Sequence, residues 1–225
     1  MDFDDPEHIS LLRDSLARFV EAEMPRQAAA RWDRDDVYPR DVVNKLAELG
    51  LMGLTVPQQY GGSGPDILAT MVTIEELSRR SLAVSVPYIM AACYGGMNIL
   101  AAGSEEQKRT LLPKLANGDM LFAYGLTEPD IGSDLAEVRT RAERHGDQVI
   151  VNGAKRFCTG AEIADYIYTL VRSDAQAPRH QNLSLLLISP KATGVSIERL
   201  EAIGLRGPNL CEVTFEDVAI PVANI

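Results

Sequence analysis

The spacing of the hydrophobic residues changes near Gly118, and no other feature limits the possible folds as strongly. Before that point, apolar residues recur every three or four positions, as between Ile9 and Val20, which is the spacing of one face of a helix. After it they occur in short alternating runs separated by turn residues, which is typical of half-buried strands. The sequence therefore predicts an α+β chain, with an all-α helical domain over residues 1–117 and a small β-sandwich or barrel domain over residues 118–225.

Local start signals support the helical half. Asp5 before Pro6, Pro39, Asp66 and the Ser104-Glu105-Glu106-Gln107 sequence all precede an apolar periodic run. Small polar residues and proline are favoured at helix starts, and Ser followed three residues later by Gln is a capping box. We expect a helix after each of these signals.

The uncharged stretch Leu82–Ala102 approaches the length of a membrane span. It also contains a serine, a proline, an asparagine and two glycines, so we interpret it as a buried helix. The acidic N-terminus MDFDDPEHIS lacks the features of a signal peptide. The three cysteines, Cys93, Cys158 and Cys211, are too widely separated for a disulfide framework or a metal motif. These features together indicate a cytoplasmic protein.

The net charge and the lack of several sequence motifs argue against several functional classes. The formal net charge is −10 and no basic run occurs, which argues against nucleic-acid binding. The three histidines have the setting of solvated surface residues and pair with no plausible nucleophile, and no zinc motif, GxGxxG or P-loop is present. The Gly61-Gly62-Ser63-Gly64 sequence lacks a following lysine and is interpreted as a flexible connector.

The second half predicts short strands joined by tight turns, including the hairpin turns His145-Gly146-Asp147 and Asn152-Gly153. The predicted strands are Leu121–Leu126, Ala136–Arg144, Gln148–Val151, Ala154–Thr159, Tyr166–Arg172, Ser184–Ser189, Val195–Arg199 and Cys211–Phe215.

Two strand ends could meet a ligand. After the first strand, Thr127 and Ser133 offer hydroxyl groups, and Gly132 allows a tight turn or a close approach to a ligand. Near the second, alternation would place Phe157 and Thr159 on one face, a flat apolar surface beside a hydroxyl that suits a planar heteroaromatic ring. The alternative is that Phe157 is a core residue and Thr159 an ordinary strand end.

At these residues the chain resembles the acyl-CoA dehydrogenase family. The similarity lies in YGLTEP closing with GSD at 132–134, in NGAKRFCT at 152–159, and in LRG at 205–207 followed by VTFEDV and PVANI. The helical half adds LGL at 49–51, PQQYGG at 57–62 and AGSEEQK at 102–108. The motifs cover nearly the whole chain and follow the order of the family.

The resemblance implies FAD bound at the middle domain. The residues implied in cofactor binding are Tyr124, Leu126, Thr127, Gly132, Ser133, Phe157, Cys158 and Thr159. Phe157 stands where many relatives have Trp, and the Thr159 hydroxyl is expected near flavin N5. Ser133 is also implied in substrate binding, and the helix Pro87–Leu100, with Met90 and Tyr94, would line the acyl pocket unless these side chains are simply core residues.

The implied chemistry is α,β-dehydrogenation of an acyl thioester held by CoA or by an acyl carrier protein. A carboxylate removes the α-proton while the β-hydrogen leaves as hydride to the flavin. The resemblance further implies a homo-oligomer and an electron transfer flavoprotein as the electron acceptor.

The chain departs from the family because it ends where relatives continue into a third, helical domain that supplies the catalytic glutamate. Glu128, Asp130 and Asp134 do not match that base and are interpreted as turn residues, so no catalytic residue is assigned. One interpretation is a truncated or split acyl-CoA dehydrogenase that is inactive alone. The alternatives are a non-catalytic flavin- or acyl-thioester-binding module, or a sibling flavin-dependent monooxygenase or nitroalkane oxidase.

Overall fold

The computed structural model describes residues 5–174 and 176–225, which form two compact units. The first unit runs to Leu121 and also contains Gly204–Pro208, whereas the second comprises Phe122–Ile203 and Asn209–Ile225. The segment Gly204–Pro208 therefore belongs with the helices, although it lies far along the chain from them.

The first unit is built from helices and short 3-10 turns. Its α-helices are α1 (Glu7–Glu23), α2 (Arg26–Arg34), α3 (Arg40–Glu48), α4 (Ile67–Ser78), α5 (Leu82–Ile89), α6 (Asn98–Ala102) and α7 (Glu105–Ala116), with 3-10 turns at Leu51–Gly53 and Gln58–Tyr60.

Most of the predicted helix starts are confirmed. The Asp66 side chain accepts a hydrogen bond from the Ala69 amide at 2.9 Å, and Ser104 and Gln107 form a complete capping box. Asp5 is the exception, since α1 has Pro6 at its N-cap and the Asp5 carboxylate accepts instead from the Arg13 guanidinium at 2.7 Å.

A single helical stretch runs from Leu82 to Ala102, and its middle, Met90–Met97, is wound as a π-helix. The stretch is long and apolar enough to cross a membrane, but 61% of its apolar window is buried inside the protein, which confirms the predicted buried helix. The Thr55 hydroxyl donates to the Ala92 carbonyl at 2.7 Å, and a Cβ on Gly96 would lie 2.6 Å from the Thr55 hydroxyl oxygen. Thr55 and Gly96 therefore pack together against the wide turn of the π-helix.

The glycine-rich connector is an ordered turn, so the prediction that it is flexible was wrong. The Ser63 amide donates to the Gly53 carbonyl at 3.0 Å, and the Ser63 hydroxyl donates to the Gly50 carbonyl at 2.8 Å. A Cβ on Gly62 would lie 1.9 Å from the Val56 carbonyl oxygen. Gly62 is needed here because the backbone passes too close for any side chain.

In the described part of the chain, the second unit forms one mixed sheet of seven strands. The strands are β1 (Phe122–Gly125), β2 (Arg141–His145), β3 (Gln148–Lys155), β4 (Tyr166–Arg172), β5 (Leu183–Ile188), β6 (Val195–Arg199) and β7 (Cys211–Pro221). Their order is β1-β4-β2-β3-β7-β6, with β5 on β4, and β1 runs parallel to β4. Helices followed by a curled mixed sheet, a half-barrel, confirm the predicted fold class.

Several strand and turn predictions were wrong in detail, including the strand predicted over Cys211–Phe215, which continues to Pro221 as β7. The Asn152-Gly153 pair is not a hairpin turn, because β3 continues through it with a register shift against β7. The strand predicted over Ala154–Thr159 ends at Lys155, and the one predicted over Ala136–Arg144 begins only at Arg141, after a 3-10 turn over Leu135–Glu137. The turn at His145-Gly146-Asp147 is confirmed by the antiparallel pairing of β2 with β3.

Candidate functional site

A tight turn follows β1 at the first of the two sequence segments. The Glu128 amide donates to the Ile131 carbonyl at 2.8 Å, and the Ile131 amide donates back to the Glu128 carbonyl at 3.1 Å. Pro129 and Asp130 occupy the exposed tip, where the fixed φ of proline suits the second position of a turn. These two hydrogen bonds fix the loop and place Glu128 at its base.

The Glu128 side chain is an internal anchor, with only 6% of the residue exposed. Its Oε1 accepts from the Thr140 amide at 2.8 Å and from Lys155 Nζ at 2.9 Å, while Oε2 accepts from the Arg139 amide at 2.8 Å. Glu128 therefore does more than occupy a turn, because its carboxylate connects the loop to two other parts of the sheet unit.

Lys155, the last residue of β3, brings the two sequence segments together. It is fully buried, and its Nζ donates to the Leu126 carbonyl at 3.1 Å as well as to Glu128. The next residue, Arg156, donates its amide to the Thr127 carbonyl at 2.8 Å. The end of β1 and the end of β3 thus lie side by side, joined by backbone and side-chain bonds.

The charges of this buried pair are held by opposing effects. Burial alone would raise the pKa of Glu128, but hydrogen bonds from Thr140, Lys155 and the Arg139 amide outweigh burial and hold that pKa below its ordinary value. Burial lowers the pKa of Lys155, and the Glu128 carboxylate opposes this effect. A carboxylate that is buried and held by three hydrogen-bond donors is poorly suited to take a proton from a substrate.

Phe157 has an unusual conformation directly after this junction. Its φ is +60° and 55% of the residue is exposed, with the Arg156 guanidinium 5.5 Å from the ring centroid. The prediction that Phe157 and Thr159 share the face of a strand was wrong, because β3 has already ended. Left-handed backbone at a residue with a side chain costs about 1–2 kcal/mol, and such strain is concentrated at ligand sites.

The residues after Phe157 are fixed to the sheet. The Cys158 amide donates to the Cys211 carbonyl at 2.8 Å, and the Gly160 amide donates to the Asn209 carbonyl at 2.8 Å. Cys158 is fully buried, and burial raises the pKa of its thiol to about 12. Cys158 therefore supports the segment from the core, while Phe157 and half-buried Thr159 keep surface open to solvent.

The predicted residues of the first segment vary in exposure. Tyr124, Leu126 and Thr127 are half-buried, with the Tyr124 ring 6.0 Å from the ring of Tyr168 and Leu126 packed against a small core that includes Ile131. Part of each of these residues is therefore buried against the protein, and part remains accessible to solvent.

Gly132 and Ser133 are exposed at the far side of the turn. A Cβ on Gly132 would meet no atom within 4 Å, so no neighbouring protein atom requires glycine there. The space beside Gly132 and Ser133 is open to a ligand.

The two residues predicted for the acyl pocket lie in the first unit, within the π-helix. Met90 is fully buried and Tyr94 is half-buried. One turn before them, the Ser85 hydroxyl is buried and has no hydrogen-bond partner in the described part of the chain. Met90 is thus a core residue in this structure.

Sequence reasoning missed the Glu128–Lys155 pair. A usable signal was present, because Lys155 falls in the same alternation as Val149 and Val151 on the buried face of β3. A lysine at an inward position needs a buried partner. Among residues 5–174 and 176–225, no group of three or more His, Cys, Asp or Glu side chains could hold a metal ion.

Comparisons with known proteins agree with these motifs. The chain matches the acyl-CoA dehydrogenase N-terminal domain over residues 6–119 and the acyl-CoA dehydrogenase middle domain over residues 123–218. It is 35% identical to an acyl-CoA dehydrogenase of Bacillus subtilis over 96% of this chain and 56% of that protein.

Solved structures give the same result. A glutaryl-coenzyme A dehydrogenase in complex with glutaryl-CoA superimposes with a TM-score of 0.92 at 32% identity, covering 100% of this chain and 57% of the other. The ChsE4–ChsE5 complex from Mycobacterium tuberculosis gives 0.87 at 30% identity, with 100% and 57% coverage. The chain thus spans little more than half the length of these proteins, and it belongs to the acyl-CoA dehydrogenase family.

Proposed function

We propose that this chain is the N-terminal and middle part of an enzyme that catalyses FAD-dependent α,β-dehydrogenation of an acyl-CoA thioester. The flavin would lie against the joined ends of β1 and β3. The observation that carries this proposal is Phe157, a strained residue that presents an aromatic ring to solvent. A planar ring system bound on Phe157 would cover this apolar surface and account for the strain.

The neighbouring residues fit an isoalloxazine ring. Thr127 and Thr159 are half-buried and carry hydroxyl groups, one after β1 and the other after β3, and the family resemblance assigns the Thr159 hydroxyl to the region of flavin N5. When bound, the flavin would supply the redox chemistry by accepting the β-hydrogen of the substrate as hydride. Lys155 and Glu128 would hold the two segments in register beneath it.

The open space beside Gly132 and Ser133 supports binding of the CoA part of the substrate. The names of the similar proteins refer to CoA esters, which favours CoA over an acyl carrier protein. We retain Met90 and Tyr94 as proposed acyl-pocket residues. Because Met90 is buried in this structure, an acyl chain could reach it only if neighbouring side chains move.

The general base would lie outside these 225 residues. Glu128 is buried in an ion pair, and the exposed Asp130 and Asp134 face Arg139 and Arg179. We therefore expect the isolated chain to show no dehydrogenation of acyl-CoA with an artificial electron acceptor. Turnover by the isolated chain would show that a base lies within it.

Titration with FAD tests the assignment of Phe157. Wild-type chain is compared with Phe157→Ala and with Ile203→Ala, a control that removes a fully exposed apolar side chain elsewhere in the same unit. Stacking on an aromatic ring contributes about 0.5–1.5 kcal/mol, so Phe157→Ala should weaken FAD binding by about twofold to tenfold. Equal FAD affinity in wild type and Phe157→Ala would refute the placement of the flavin.

For the complete protein we further propose a homo-oligomer in the cytoplasm that passes electrons to an electron transfer flavoprotein. A second candidate is a subunit that completes its active site with a different chain. The likeness to a chain of the ChsE4–ChsE5 complex supports this candidate. Co-purification with a distinct acyl-CoA dehydrogenase subunit, rather than with copies of itself, would distinguish the two.

A further inference from the structure

The segment Gly204–Pro208 contains the Leu205-Arg206-Gly207 motif, which the proposed function does not use. The Gly207 amide donates to the Asp36 carboxylate at 2.8 Å within the helical unit. Gly207 has a φ of +88°, and a Cβ on it would lie 3.0 Å from the Val37 carbonyl oxygen. Glycine therefore lets the segment lie closely on the chain after α2, which fixes the position of the neighbouring Arg206.

Arg206 lines a cavity of about 490 Å³ in the helical unit. Three more arginines, Arg26, Arg79 and Arg80, line the same cavity, and Asp33 is its only acidic lining residue in the described part of the chain. Four positive side chains thus face one negative one, in a chain whose formal net charge is −10. This concentration of arginine runs against the overall charge of the protein.

The arginines differ in how far they are already engaged. Arg80 is bonded to the Glu21 carboxylate and the Met24 carbonyl, and Arg79 donates to Glu76 at 3.0 Å. The side chains of Arg26 and Arg206 make no hydrogen bond or ion pair among the described residues. Two guanidinium groups at the cavity are therefore available to an incoming anion.

The backbone adds to the positive character of the cavity. Ser81 precedes α5 and lines the cavity, but its side chain makes no capping hydrogen bond. The next two residues, Leu82 and Ala83, also line it, and the first amides of a helix have no partner within the helix. These groups favour an anion, although the arginines carry the main charge.

We infer that this cavity binds a phosphorylated small molecule, with Arg26 and Arg206 as its principal phosphate contacts. Guanidinium groups bind phosphate oxygens in a bidentate manner, and the single carboxylate of Asp33 cannot offset both of these available guanidinium groups. A volume of about 490 Å³ exceeds the needs of a free phosphate ion and lies in the range of small-molecule sites. The inference does not depend on flavin or acyl-CoA binding in the second unit.

Isothermal titration calorimetry of the chain tests this inference with pyrophosphate, ADP and citrate. We expect ADP and pyrophosphate to bind and citrate, an anion without phosphate, to bind at least tenfold more weakly. Loss of one charge-assisted hydrogen bond is worth about 1.5–3 kcal/mol, so Arg26→Ala and Arg206→Ala should each weaken binding by about tenfold or more. Asp33→Asn should strengthen it, because it removes the opposing charge.

The matched control is Arg34→Ala, which removes the same charge from an exposed residue of α2 that does not line the cavity. Its affinity for pyrophosphate should stay within about twofold of wild type, on the basis of the small effect expected for an exposed charge. The inference is overturned if wild type binds neither phosphate compound at millimolar concentration. It is also overturned if citrate binds as tightly, or if Arg34→Ala weakens binding as much as Arg206→Ala.

Discussion

Lys155→Met should destabilise the sheet unit far more than the loss of one surface charge. Methionine keeps an unbranched side chain of similar size but removes the ammonium group that joins the end of β1 to the end of β3. Lys155 Nζ lies 2.9 Å from Glu128 Oε1 and 3.1 Å from the Leu126 carbonyl oxygen. The substitution leaves both acceptors in place without their donor.

The size of the effect follows from the burial of the partner that remains. The Glu128 carboxylate still accepts hydrogen bonds from the Arg139 and Thr140 amides, so it keeps some of its polar partners. Its charge nevertheless loses the nearby cation, and removing one partner of a buried ion pair typically costs about 3–5 kcal/mol. The control, Lys191→Met, alters an exposed lysine in the same unit and should change the free energy of unfolding by less than about 0.5 kcal/mol.

Urea unfolding followed by circular dichroism measures this difference, and its pH dependence identifies the cause. Folding lowers the pKa of Glu128 in the wild type, so its contribution to stability is present above the unfolded pKa of about 4.3 and is lost as the pH falls through the folded value. In Lys155→Met the buried carboxylate has no cation, and its pKa should rise. The difference between wild type and variant should therefore shrink as the pH is lowered from 7 toward 4.

Two outcomes would refute this reasoning. In the first, Lys155→Met is as stable at pH 7 as Lys191→Met, which would mean that the pair contributes nothing beyond an exposed charge. In the second, the loss of stability is large but independent of pH, which would trace it to packing rather than to the Glu128 charge.

Three further predictions concern single positions. Phe157→Gly should raise the free energy of unfolding by about 1 kcal/mol, because glycine relieves the left-handed strain, and thermal unfolding checks this. Gly62→Ala should lower the free energy of unfolding by more than about 2 kcal/mol, since its Cβ would lie 1.9 Å from a carbonyl oxygen. Urea unfolding measures this change. The control is Gly132→Ala, whose Cβ would meet no atom within 4 Å and whose free energy of unfolding should stay within about 0.5 kcal/mol of wild type. Cys158, whose pKa burial raises to about 12, should resist iodoacetamide at pH 8 in the folded protein and react in urea, as mass spectrometry would show.

Helix starts could be predicted because their signals are local. The bonds within the Ser104-to-Gln107 capping box span three residues, and they form whatever the rest of the chain does. Helix α2 was missed because only Ala29 and Trp32 of its residues are buried, which is too few to produce a recognisable period.

The Asn152-Gly153 pair shows why strand details were harder to predict. This dipeptide is a strong local signal for a hairpin turn. In the structure Gly153 has a φ of +144° inside β3, and a Cβ on it would lie 2.6 Å from the Thr140 Cα. The glycine is required by a close contact with Thr140, so the dipeptide marked a positive φ at Gly153 but not the turn that it usually indicates.

Phe157 shows both a property that could be predicted from the sequence and one that could not. The sequence indicated an aromatic residue suited to a planar ligand, but the expected support was a regular strand, and β3 ends two residues earlier. The ring is displayed instead by left-handed backbone between fixed neighbours, since the Arg156 amide bonds to Thr127 and the Cys158 amide bonds to Cys211. In a regular strand, Phe157 and Cys158 would point to opposite faces of the sheet. Here the chain has left β3, and Phe157 is exposed while Cys158 is buried. Neither neighbouring bond can be inferred from spacing, because each joins segments about 30 or more residues apart. The sequence therefore predicts an aromatic residue at this site. The backbone conformation that exposes its ring depends on contacts between distant segments, which the sequence alone does not reveal.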